Sequence, residues 1–187
     1  MELKPFSLEI EALDLGDDVR AVGIELIETE SREPARGPEA LQVWSAIVPA
    51  IAGTEDWALD FFSHLDRVRE YCREHAIEYR DAAGRCLVMP QPERDILAGL
   101  FARFETETFG VRAGGVLPSG DAALEGDLSR RGVDAYQAAY PRYTFYLVCD
   151  FENGMVTLLS QSLWASEVIR RVRPAIERLE VMVSRPQ

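Results

Sequence analysis

His64, Cys72 and His75 are the residues whose types and spacing come closest to a reactive set. An imidazole beside a thiol can take its proton and leave a nucleophilic thiolate, and imidazole with thiolate is also a ligand set for zinc. If one helix carries all three, His75 lies about 20° around the axis from His64 and Cys72 about 80°. The axial rise separates the two histidines by about 16 Å, so the three cannot act on one atom. Cys72 and His75, three residues apart, could face each other. The plainer account puts Cys72 in an apolar stripe with the histidines at its edge. No residue is assigned as catalytic and none as a metal ligand, and no cofactor is expected.

Binding groups are easier to find than reactive ones. Tyr136, Tyr140 and Arg142 fall in an aromatic stretch that continues to Tyr143, Phe145 and Tyr146, and Trp164 follows a little later. Tyrosine and tryptophan combine apolar area with a polar tip, which suits a pocket or an interface. Arg112 lies in the glycine-rich run Gly110 to Asp121, where a cradle for an anion or a mobile connection would fit. Arg170 and Arg171, with Arg173 and Arg178, fall off the apolar stripe of a C-terminal helix and could form a recognition face for an acidic group.

The sequence lacks the signatures that would name a reaction. Lys4 is its one lysine, which leaves no phosphate-loop lysine and no interior Schiff-base lysine. Gly-x-Ser-x-Gly, His-Glu-x-x-His, Cys-x-x-Cys and Gly-x-Gly-x-x-Gly are all missing. The cysteines are Cys72, Cys86 and Cys149, an odd number at wide spacing, which argues against a disulfide framework.

The elements that must position these groups follow from periodicity. Phe6, Leu8 and Ile10 alternate with polar residues, as do Val22, Ile24 and Leu26, which predicts a hairpin over about 6–13 and 19–28. Leu41 to Val48 reads as a third strand or a short helix, interrupted at Pro49. Thr54-Glu55-Asp56 resembles a helix start, and Trp57, Phe61, Leu65, Val68, Cys72 and Ala76 then fall on one stripe, predicting a long helix over roughly 55–76. A second hairpin is expected over 77–89, then a helix with Pro92 at its first position and an apolar face through Phe104. Residues 106–120 read as irregular and 122–131 as a short helix. Strands over 143–151 and 155–161 flank Asn153-Gly154. A helix with Pro174 inside it and a closing strand near Val181 complete the chain. Hairpins outnumber crossovers, so the expected fold is α+β: a single domain, 1–187, with a largely antiparallel sheet built from hairpins and packed against two or three amphipathic helices.

Charge sets the functional expectation. The chain has 187 residues, 47% apolar and 28% charged, ordinary for a soluble globular protein, and a net charge of −12. Residues 1–60 hold 14 acids and 4 bases, a net of −10. This balance disfavours direct binding of nucleic acid and of anionic membranes. With no secretory leader and no long apolar run, a cytoplasmic location is expected. The expected function is non-enzymatic: binding of a protein partner, a basic one, through the acidic third, as an accessory or adaptor subunit, a chaperone or an immunity-type inhibitor. The alternatives are a small-molecule enzyme or ligand-binding domain with a pocket lined by arginine and tyrosine, and a nucleic-acid mimic acting through residues 1–60. Exposed edges of hairpin-built sheets also admit a homodimer.

Overall fold

Alternation at the N-terminus gives what it predicts. Phe6, Leu8 and Ile10 bury one side of β1 (Phe6–Asp14), and Val22, Ile24 and Leu26 bury the same side of β2 (Arg20–Glu28). The two strands pair antiparallel over their whole length. The computed structural model describes residues 5–14, 20–53, 57–61, 65–82, 86–113, 145–160, 165–179 and 181–183.

After β2 come α1 (Pro38–Ala52), β3 (Trp57–Phe61), α2 (Leu65–Glu74), β4 (Arg80–Ala82), β5 (Cys86–Met89), α3 (Arg94–Arg103) and β6 (Phe109–Ala113). The C-terminal part supplies β7 (Phe145–Asp150), β8 (Met155–Ser160), α4 (Ala165–Ile176) and β9 (Val181–Val183). Nine strands form one sheet in the order β4-β5-β3-β6-β7-β8-β2-β1-β9. Every pairing is antiparallel except that of β9 with β1. The fold is α+β, with four helices among the described residues rather than two or three.

All four helices lie on one face of the sheet. Their buried side chains join a single apolar cluster with Leu8, Ile24, Leu59, Leu87, Val111, Leu147 and Leu158 of the strands. In the middle of this layer α1 packs against both α3 and α4. Trp44 of α1 stacks on Phe151, with ring centroids 5.4 Å apart, and Phe151 in turn meets Phe101 of α3 and Phe109 of β6. The indole N–H groups of Trp44 and Trp57 are buried without an acceptor, a cost of about 1–3 kcal/mol each that the aromatic packing must offset.

Several expected elements come out differently. The long helix over 55–76 does not exist, because its first part is β3 and only Leu65–Glu74 is helical. Trp57, Leu59 and Phe61 satisfy a period of two as well as Trp57, Phe61 and Leu65 satisfy a helical one. The sheet decides: β3 lies between β5 and β6, and both Trp57 and Leu59 are fully buried. Thr54, Glu55, Asp56 and His64 lie outside the described residues.

Leu41–Val48 is helical, and α1 runs through Pro49 to Ala52. The proline removes one amide donor in the last turn. Burial of Val43, Trp44, Ile47, Val48 and Ile51 outweighs that loss at roughly 1.5–3 kcal/mol for each large side chain. The helix is buried on most sides because it is the centre of its layer, which is why its apolar run could also pass for a strand. Pro174 likewise sits inside α4 without breaking it, two residues before the end.

Part of the stretch expected to be irregular, 106–120, is β6, held between β3 and β7. The third helix begins at Arg94 with Glu93 as N-cap, so Pro92 precedes the cap instead of occupying the first turn. The expected short helix over 122–131 lies outside the described residues. The β7–β8 connection is a 3-10 turn over Phe151–Asn153, closed by Gly154 in the left-handed conformation at φ +63. A Cβ at Gly154 would lie 2.7 Å from the Leu26 carbonyl oxygen, so this turn admits only glycine against β2.

Candidate functional site

The strand pairing collects the N-terminal acids. Glu9 and Glu11 alternate with the buried Leu8 and Ile10, so they stand on the sheet face opposite the helices. The register sets Glu9 directly across from Glu25 of β2, and Glu11 across from Gly23 with Glu25 on its diagonal. Glu11 and Glu25 are exposed. Like charges directly across a ladder destabilise it. Arg32 offsets part of this repulsion. The turn after β2 holds Arg32 at φ +63, its amide donates to the Glu28 carbonyl, and its guanidinium donates to Glu9 at 2.7 Å. Glu28, Glu30 and Glu33 extend the exposed acidic surface around that turn.

Two of the C-terminal arginines, Arg170 and Arg171 of α4, are engaged within the chain. Arg170 makes two hydrogen bonds to the Glu167 carboxylate, and these hold that carboxyl well below its usual range, at about 2. Arg171 donates to the backbone carbonyl of Ile51 at 3.0 Å, so it ties the end of α1 to α4. Arg173 and Arg178 are exposed.

Arg112 is on the other side of the sheet from α4. By register it occupies the centre of a row across eight strands: Arg80, Val88, Ala58, Arg112, Tyr146, Leu159, Ala21 and Leu13, all at positions facing away from the helices. Tyr136, Tyr140, Arg142 and Trp164 lie outside the described residues. The expected binding residues whose positions are described therefore fall in two separate places, Arg112 on one face of the sheet and Arg170 with Arg171 on the helical layer.

Cys72 and His75 do not form a reactive pair. Cys72 is fully buried, and burial pushes its thiol above the ordinary range. The His75 ring turns to its own helix end: Nδ1–H donates to the Tyr71 carbonyl at 2.9 Å, and the ring stacks on Tyr71 with centroids 4.0 Å apart. Cys149 is also buried, and its thiol is pushed up strongly by burial. Both are free thiols. Among the described residues no three His, Cys, Asp or Glu side chains are placed to hold a metal ion, and no helix is long and apolar enough to cross a membrane.

The pairing of Glu9 with Glu25 was not visible in the composition, although the acidic surplus of residues 1–60 was. Only the register, fixed by which side of β1 and β2 is apolar, brings the two carboxylates together. Comparison of the chain with family models, with curated proteins and with solved structures gives no match.

Proposed function

We propose that the protein binds a basic protein partner through the acidic face of the β1–β2 hairpin and does no chemistry of its own. The observation that carries this is the facing pair Glu9 and Glu25, with Glu11 on the diagonal. Folding alone favours an uncharged or opposite-charge pair there. Concentrated negative charge on a rigid sheet speeds encounter with a positive surface and selects against acidic ones. The accessory, chaperone and inhibitor roles all use this same face and differ only in the partner.

The test is recovery of the partner from the native cell with the wild-type protein and with Glu11→Arg/Glu25→Arg, which leaves the Glu9–Arg32 contact in place. The expected partner is basic, is lost as salt rises, and binds the variant at least tenfold more weakly. A partner held equally well by the variant, or turnover of a small substrate by the purified protein, would overturn the proposal. A partner that DNA displaces from the wild-type protein would shift the choice to nucleic-acid mimicry.

A further inference from the structure

We draw no further inference here: the strongest candidate, the sheet face opposite the helices with the row from Arg80 through Arg112 to Leu13, has Ala21 and Val88 already buried on it, and nothing among the described residues shows what covers it.

Discussion

The Tyr71 hydroxyl of α2 donates to the Ile96 carbonyl of α3, in a space that exists because Gly99 has no side chain. A Cβ at Gly99 would stand 2.7 Å from the Tyr71 oxygen. The tyrosine cannot easily move aside, because His75 stacks on its ring and the Arg103 guanidinium lies 5.0 Å from its centroid. Alanine inside a helix is normally better than glycine by roughly 0.5–1 kcal/mol. Here Gly99→Ala should instead destabilise by about 1–3 kcal/mol through overpacking. Tyr71→Phe alone should cost about 1 kcal/mol for the lost hydrogen bond. In the double variant the clash is gone, so the two costs should fall well short of additive. Urea denaturation of the four proteins measures this, and simple additivity would mean that Gly99 and Tyr71 do not touch.

The end of α2 points to a substitution that should stabilise the protein. Ile77 N–H donates to the Cys72 carbonyl at 2.8 Å and Ala76 N–H to the Arg73 carbonyl, the paired bonds that close a helix over a left-handed residue. That residue is Ala76, at φ +52. Glycine carries no Cβ penalty in this conformation, whereas the greater freedom of its unfolded chain works against it. Ala76→Gly should raise stability by about 0.5–1 kcal/mol, and Ala76→Val should lower it. Thermal melts in parallel would show the two changes moving in opposite directions, and a loss of stability with glycine would contradict the assignment.

Labelling rates give a direct check that Cys72 and Cys149 are not nucleophiles. Cys72 and Cys149 are buried, and burial holds both in the neutral form at pH 7. Labelling of either cysteine, followed by peptide mass spectrometry, should be slow and should speed up only when the fold opens. His75→Ala should leave the Cys72 rate unchanged apart from any effect on stability, because the imidazole is directed at the Tyr71 carbonyl. Fast labelling of native Cys72 that collapses in His75→Ala would restore the paired nucleophile.

Much of the fold could be read from alternation and turn chemistry, and the misses have two causes. The β1–β2 hairpin was legible because one side of each strand is apolar and the other largely is not, and the β7–β8 hairpin because Asn153-Gly154 marks a turn between two apolar runs. The closing strand β9 was legible from the β-branched Val181 and Val183. β3 and α1 were misread because their neighbours bury them on several sides, so their apolar spacing fits more than one period. β6 was hidden by Gly110 and Arg112, which look like loop residues but sit on the face away from the helices while Phe109 and Val111 fill the core. Within the acidic site, Glu9, Glu11 and Glu25 could be counted from the sequence, but their juxtaposition and the return of Arg32 to Glu9 are long-range facts set by register and by one left-handed turn.

Glu167 should titrate unusually low without making the protein acid-resistant. Hydrogen bonds from Arg170 are the largest cause of its depressed pKa, about 2, and Arg171 adds to them. The folded value lies below the ordinary 4.5, so any stability from this contact is present above about 4.5 and lost as pH falls toward 2. Arg170 and Glu167 are on the helix surface and open to salt, so the stability at stake is small despite the shift. A carboxyl-detected NMR titration of the wild-type protein should place the Glu167 midpoint well below those of unpaired glutamates. In Arg170→Ala it should rise part of the way back, with Arg171 still 3.4 Å from the carboxylate, and the melting temperature at pH 7 should change little. A midpoint unmoved by Arg170→Ala would mean that the pair does not persist in solution, and Arg170 would then be an exposed cation on that helix like Arg173.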